Sequence, residues 1–169
     1  MLITGMKLYM YYLTWFIRYF IIYLVVHSVN SYIITYCFPR TPFYVPFIIY
    51  LLFDVVLIVQ SFFIQIFVTR AKIGIVLALV FFIIQYAVNY SISSNTNVTE
   101  DIYGYMSIVP HVGYVLAFKN IIYGDSMRIP ITFTTNLYQY HIITAFYYLL
   151  GNIFVWAFLT WYLDQIVPN

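Results

Sequence analysis

One acidic side chain, Asp54, lies inside a long apolar block and is the first candidate for chemistry. A charge in the hydrocarbon region of a membrane is costly, and such residues often mark ion paths or substrate sites. Two interpretations stay open. Asp54 is either a functional intramembrane site or a structural carboxylate, about two to three turns beyond Pro42, that bonds a neighbouring helix or reaches interfacial water. We favour the structural interpretation. Three amides nearby could complete a polar path or, equally, bond between helices: Gln60, Gln65 and Gln85.

The other residues of catalytic type are scattered along the sequence. His27, His111 and His141 have no carboxylate or second histidine at metal-ligand spacing. Neither a G-x-x-x-x-G-K-[ST] phosphate loop nor a G-x-S-x-G nucleophile turn occurs. Cys37 is the single cysteine, so no disulfide forms within the chain. The sequence therefore predicts no catalytic residue, no metal site and no cofactor site, and we expect that this chain is not an enzyme.

The composition indicates a membrane protein. Of the 169 residues, 64% are hydrophobic and 7% are charged, whereas a soluble domain carries about 25% charged residues. The apolar blocks have the length of spanning helices, and a helix is required because lipid offers no partner to a backbone N–H or C=O. The net charge of +2 is too small to predict nucleic-acid binding. Abundant Tyr, Phe and Ile with little Ala is typical of an AT-rich coding sequence, so we interpret aromatic stripes as packing or lipid-facing surface.

We predict an all-α integral membrane fold with four transmembrane helices. The first span is preceded by an aromatic, semi-polar stretch at residues 6–17, which we expect at the membrane surface. Pro39 and Pro42 separate the first span from the second, because proline does not continue a helix. The cationic turn Thr69-Arg70-Ala71-Lys72 separates the second from the third. The predicted spans are about 15–38, 43–69, 71–90 and 139–163.

Residues 91–138 form a loop of a different kind between the third and fourth spans. A polar segment comes first, then an apolar stretch at 102–118 that contains Pro110 and Gly113, and then a second polar segment at 119–136. An apolar stretch of this length with a proline and glycines is a marginal span. We favour an exoplasmic re-entrant or interfacial helical hairpin over a fifth span. The two alternatives place the C terminus on opposite sides of the membrane.

Loop charges and glycosylation triplets give the orientation. The positive-inside rule slightly favours the side with Lys7, Arg18, Arg70 and Lys72 as cytosolic, over the side with Arg40, Lys119 and Arg128. Acceptor triplets for N-glycosylation begin at Asn89 and Asn97 on the second side, and Asn97 is better placed because it is farther from the membrane. We therefore expect a multi-pass glycoprotein of the plasma membrane or an endomembrane, with both termini cytosolic.

Four polar motifs follow one another along the apolar background. The most specific is the last, where Trp161-Tyr162-Leu163-Asp164 is followed by Pro168, four residues after the acid. In order and spacing the motifs resemble the membrane domain of A-subfamily ABC transporters, the lipid exporters, although Lys7 replaces the glycine usual in the first. The other three are Met6-Lys7 with Leu13-Thr14-Trp15-Phe16-Ile17; Ser61-Phe62-Phe63-Ile64 through Phe67-Val68-Thr69-Arg70-Ala71-Lys72; and Ser107-Ile108-Val109-Pro110 with Gly113 and Ala117-Phe118.

The resemblance covers nearly the whole chain, residues 1–169, and implies a partial transmembrane domain of type-2 exporter fold. It implies that the chain corresponds to helices three to six of one half-transporter, with two short exoplasmic half-helices before the last. It also implies that the turn from Thr69 to Lys72 touches a nucleotide-binding domain, which binds ATP and Mg and is absent from this chain. The expected partners are that domain, a second transmembrane half and membrane lipids. We expect a fragment or a degenerate copy that hydrolyses nothing alone.

Other classes of protein remain as alternatives. The AT-rich composition and short spans suit a small respiratory-chain or organelle-encoded subunit. A structural or assembly subunit with no transport role fits the same spans. A membrane-embedded enzyme would need polar groups converging at one depth, and Asp54 with three scattered histidines does not supply such a set.

Overall fold

The structure is a computed structural model that describes residues 8–68, 71–93, 99–137 and 140–166. Helices dominate these residues, and one two-stranded antiparallel ladder, which pairs Asn136 with His141, precedes the last helix. The elements in chain order are α1 (Leu8–Cys37), α2 (Tyr44–Ile66), α3 (Ala71–Ser93), α4 (Glu100–Met106), α5 (Pro110–Ser126), β1 (Asn136–Leu137), β2 (Tyr140–His141) and α6 (Ile142–Ile166).

Four helices are long and apolar enough to cross a membrane. The shortest of these segments has 21 residues, or about 32 Å at 1.5 Å per residue, which matches a hydrocarbon core of about 30 Å. Most side chains of α1 and α3 point away from the protein, as expected of helices that face lipid. The chain is therefore a multi-pass helical membrane protein. The four segments are Met10–Cys37, Tyr44–Ile66, Lys72–Ile92 and Ile142–Ile166.

The helix boundaries depart from the predicted spans by a few residues. α1 begins at Leu8, so most of the stretch expected at the membrane surface belongs to the first helix. The reason is that residues 8–17 contain no proline or glycine, and Tyr12 packs on Phe62 of α2 with ring centroids 5.1 Å apart. α6 begins later than expected, at Ile142, because the two preceding residues pair in β2.

The 102–118 stretch is divided between two helices rather than forming one span. α4 ends at Met106, and α5 begins at Pro110. Proline suits this first position because it has no N–H, and an N–H there would have no partner within the helix. Gly113 is buried inside α5 and does not interrupt it, so the break that we expected there is absent. α5 also continues to Ser126, into the segment predicted to be polar loop, because Asn120, Ile121 and Gly124 lie on its buried face.

The core lies around α2, the most buried of the four long helices. Val45, Ile49 and Val56 of α2 are completely buried and belong to one apolar cluster. That cluster includes Leu116 of α5 and Leu149 of α6. Because α1 also packs on α2, this helix is the element against which the others are positioned.

Residues 127–137 connect α5 to the ends of other helices. Asn120, which is fully buried, donates from Nδ2 to the carbonyl of Leu116 and accepts the backbone N–H of Leu137 at Oδ1, both at 3.1 Å. Gly124 allows this segment to lie close, since a Cβ there would be 2.0 Å from Ile131 Cδ1. The N–H of Ile131 in turn donates to the carbonyl of Arg40 in the α1–α2 turn at 3.1 Å. The C-terminal end of α5 therefore lies at the same end of the bundle as that turn.

The turn between α4 and α5 is held by a buried hydroxyl pair. Ser107 Oγ and Tyr140 Oη are 2.7 Å apart, and Ser107 Oγ also donates to the carbonyl of Tyr103 at 2.8 Å. Burial raises the pKa of the Tyr140 phenol, although the bond to Ser107 acts in the opposite direction. The phenol therefore stays protonated well above neutral pH and keeps its hydrogen available to this pair.

The Asn120 contact predicts an asymmetry between two asparagines. Asn152 of α6 makes the same local bond, from Nδ2 to the carbonyl of Tyr148, with no second contact from Oδ1 among the described residues. We expect Asn120→Leu to lower the free energy of unfolding by about 2 kcal/mol more than Asn152→Leu, since it leaves the Leu137 N–H unpaired. Thermal unfolding in detergent and limited proteolysis of residues 127–137 would measure this. Equal destabilisation with no change in proteolysis would contradict it.

Candidate intramembrane site

The acid of the second span is paired with a histidine of the first. His27 Nε2 and Asp54 Oδ2 form a hydrogen bond, and also an ion pair when the histidine is protonated, between α1 and α2. Both residues are 8% exposed. The sequence places no carboxylate at metal-ligand spacing from His27, so the pair was not predicted. Sequence spacing failed here because the partners are 27 residues apart in the chain.

The positions of His27 and Asp54 relative to the turn between their helices indicate the pair, although their spacing in the sequence does not. α1 and α2 are consecutive helices joined by the short turn around Arg40, so residues at equal distances from that turn meet. His27 precedes Arg40 by 13 residues and Asp54 follows it by 14. This near-symmetry about a proline-bounded turn would have predicted the pair.

Asp54 lies at the middle of α2, and His27 lies ten residues before the end of α1, at the same distance from the α1–α2 turn. Asp54 is the eleventh of the 23 residues of α2, about 15 Å from its beginning at 1.5 Å per residue. That depth corresponds to the centre of a bilayer about 30 Å thick. Of the two structural uses expected for Asp54, the geometry supports a bond to a neighbouring helix, because interfacial water is half a bilayer away.

Aromatic rings enclose the pair. The Tyr50 ring stacks on the His27 imidazole with centroids 4.7 Å apart and planes inclined by 10°. Tyr23 covers the imidazole one turn earlier in α1, at 6.0 Å. Tyr50 also packs on Phe118 of α5, at 4.8 Å. The pair is therefore part of the packing between α1, α2 and α5, and it holds α1 against α2.

The three glutamines do not join Asp54 in one polar path. Gln85 Nε2 donates to Gln60 Oε1 at 3.3 Å, a buried bond between α3 and α2. Gln65 Nε2 donates to Tyr11 Oη at 3.1 Å, an exposed bond between α2 and α1. Each contact links a different pair of helices at a different depth. Their geometry is that of helix-to-helix bonds, which was one of the two uses predicted from the sequence.

The remaining predicted site residues fall in several places. Asn89 is 8% exposed within α3, a placement that argues against its use as a glycosylation acceptor. Pro110 and Gly113 are both buried in α5, next to the α4–α5 turn. Ala71 begins α3, and Lys72 follows it with an exposed side chain. Thr69, Arg70 and Asn97 lie outside the described residues.

The tip of the α4–α5 hairpin, residues 107–111, lies beside the middle of three long helices. His111 packs on Phe82, near the middle of α3, with ring centroids 5.4 Å apart. It lies 6.1 Å from Phe53, near the middle of α2. Ile108 lines a cavity with Asn152, near the middle of α6. Because the far end of α5 lies at the α1–α2 turn, the hairpin covers about half the length of the bundle.

A cavity of about 440 Å³ opens between α1, α2 and α6, at the opposite end of the bundle from the α1–α2 turn. Its wall includes Tyr12, Phe62, Trp161 and Asp164, and the Tyr12 hydroxyl donates to Asp164 Oδ1 at 3.4 Å. Sequence reasoning missed this site because its residues come from three helices distant in the chain. Asp164 was noticed only as part of a motif.

Comparison with known proteins adds no family to this description. No family model, no curated protein and no solved structure matches the chain.

The His27–Asp54 pair predicts strong coupling between two substitutions. His27→Leu or Asp54→Leu alone should lower the free energy of unfolding by about 3 kcal/mol, because each leaves a buried polar group unpaired. The double variant should lose much less than the sum, since an apolar pair needs no partner. Reversible unfolding in mixed micelles measures the coupling, with Gln65→Leu as an exposed control. Additive losses would show that the pair does not join α1 to α2.

Proposed function

We propose that this chain is the membrane-spanning part of an ATP-driven ABC transporter of the A-subfamily, and that the transporter moves lipid. The chain would supply helices three to six of one half-transporter, in a type-2 exporter fold. One observation carries the proposal: a pair of short helices lies between the third and the last long helix and reaches half the depth of the bundle. The resemblance of the polar motifs to those of A-subfamily ABC transporters implies two such helices before the last span.

The hairpin geometry supports re-entry from one side of the membrane, which we propose is the exoplasmic side. Both ends of the hairpin lie in one half of the bundle, and its tip lies beside the middles of α2, α3 and α6. A segment that crossed fully would bring its far end to the opposite end of these helices. Backbone groups at the tip are bonded, with the N–H of Ile108 donating to the carbonyl of Tyr105 at 3.2 Å. Such internal bonding suits a turn placed in hydrocarbon.

Coupling to ATP would occur through the turn between α2 and α3. α2 ends at Ile66, and α3 begins at Ala71 with the exposed cation Lys72 in its first turn. This turn lies at the opposite end of the bundle from the hairpin. A nucleotide-binding domain on another polypeptide or another part of the gene product would bind ATP and Mg and act here. The chain would then perform no hydrolysis of its own.

The orientation follows from the same arrangement. The hairpin side would be exoplasmic, and the α2–α3 turn and both termini would be cytosolic. The membrane would be the plasma membrane or an endomembrane. The partners would be the nucleotide-binding domain, a second transmembrane half and the lipids of that membrane.

Charge reversal at the proposed coupling turn tests the transport proposal. In the native assembly that contains this chain, we expect Lys72→Glu to reduce lipid-stimulated ATP hydrolysis and lipid movement by about tenfold, the effect of roughly 1.4 kcal/mol of lost contact. Arg128→Glu is the matched control, because Arg128 is exposed at the other end of the bundle. Absence of any ATPase from the purified assembly would refute the proposal and favour a static membrane subunit.

The proposed orientation predicts glycosylation at one of two triplets. When the chain is made in eukaryotic secretory membranes, endoglycosidase treatment should increase its gel mobility, and Asn97→Gln should abolish that change. Asn89→Gln should have no effect, since Asn89 is buried in α3. An untreated chain without glycan would contradict an exoplasmic loop and would favour the organelle-encoded alternative.

A further inference from the structure

The cavity between α1, α2 and α6 has an apolar interior and one charged residue at its mouth. Val59 and Ala157 line the cavity nearer the middle of α2 and α6, and Asp164 lines it two residues before the end of α6. Tyr12 enters from the beginning of α1, and Phe62 from near the end of α2. The charged rim therefore lies at the depth of lipid headgroups, whereas the inner wall lies at the depth of acyl chains.

The chemistry of the rim is that of a cation site. Asp164 supplies a carboxylate, and the rings of Tyr12, Phe62 and Trp161 surround the same opening. Aromatic faces attract ammonium groups, and cages of such rings recognise quaternary ammonium. None of the described lining residues is cationic, and Asp164 has no ion-pair partner among the described residues. A negatively charged headgroup would be repelled there, and a positive one would be attracted.

The size of the cavity fits part of a lipid rather than all of it. Small-molecule sites have volumes of about 300–1,000 Å³, and this cavity has about 440 Å³. A headgroup and the upper part of one acyl chain fill such a space, and the rest of the lipid lies in the bilayer. Gln165 lines the rim and offers an amide N–H to a phosphate oxygen.

We propose that this cavity binds a phospholipid with a quaternary ammonium headgroup, with the ammonium between Asp164 and the rings of Tyr12 and Trp161. The acyl chain lies along Val59 and Ala157. The inference requires only that the four long helices span a bilayer, and it does not require that any lipid be moved. A bound lipid in this position links the beginning of α1 to the end of α6, where the Tyr12–Asp164 hydrogen bond at 3.4 Å is the one direct polar contact among the described residues.

Photolabelling tests the site without ATP. The full chain is reconstituted in phosphatidylglycerol vesicles that contain a small fraction of phosphatidylcholine with a photoactivatable group near the top of one chain. We expect labelling of residues 157–165 that is reduced by excess unlabelled phosphatidylcholine. Extra phosphatidylglycerol should not compete. Soluble phosphocholine should compete poorly, since it lacks the acyl chain; equal competition by either compound would overturn the proposal.

Matched variants assign the contacts. Asp164→Asn should weaken labelling by about tenfold, and Asp164→Glu should retain it. Asp101→Asn, an exposed acid of α4 at the other end of the bundle, should leave it unchanged. Trp161→Leu should also reduce labelling, whereas Phe154→Leu, an exposed ring of α6 outside the cavity, should not. Thermal unfolding shows that each variant is folded. Equal labelling of Asp164→Asn, Asp101→Asn and wild type, all folded, would overturn the proposal.

Discussion

Hydrocarbon offers no hydrogen bond, and this constraint favours buried polar side chains that find a partner on a neighbouring helix. Inside a bilayer an unpaired donor or acceptor costs several kcal/mol, so the chain must provide the partners itself. His27 bonds Asp54, and Gln85 bonds Gln60. In each case the partner lies on a neighbouring helix. The apolar surfaces of α1 and α3 resemble lipid and give little direction to packing, so these few bonds fix which faces of the helices meet.

The arrangement of helices around α2 follows from these contacts. α1 is held to α2 at mid-depth by the His27–Asp54 bond, and α3 is held by the Gln85–Gln60 bond. α5 packs on α2 through the stacked rings of Phe53 and Tyr114, whose centroids are 4.2 Å apart. Separate polar contacts at different depths suit a scaffold that holds its shape better than they suit a continuous path for ions.

The long helices could be predicted from the sequence because their signal is composition and length alone. Four apolar blocks gave four helices, although α1 and α6 begin at other residues than predicted, Leu8 and Ile142. In the hairpin, the break before Pro110 was predicted, whereas Gly113 does not interrupt α5. The pairing of His27 with Asp54 was missed because it depends on how two helices align across a turn. The 440 Å³ cavity could not be predicted at all, since no local pattern encodes the meeting of Tyr12, Phe62 and Asp164.

The hairpin of α4 and α5 makes the two halves of the molecule unequal in width. Near the α1–α2 turn, a cross-section cuts the four long helices and also the hairpin, whereas at the opposite end it cuts the long helices alone. Among the described residues, one half of the bundle therefore contains more helices than the other. In a bilayer, the leaflet on that side gives up more of its area to protein than the opposite leaflet does.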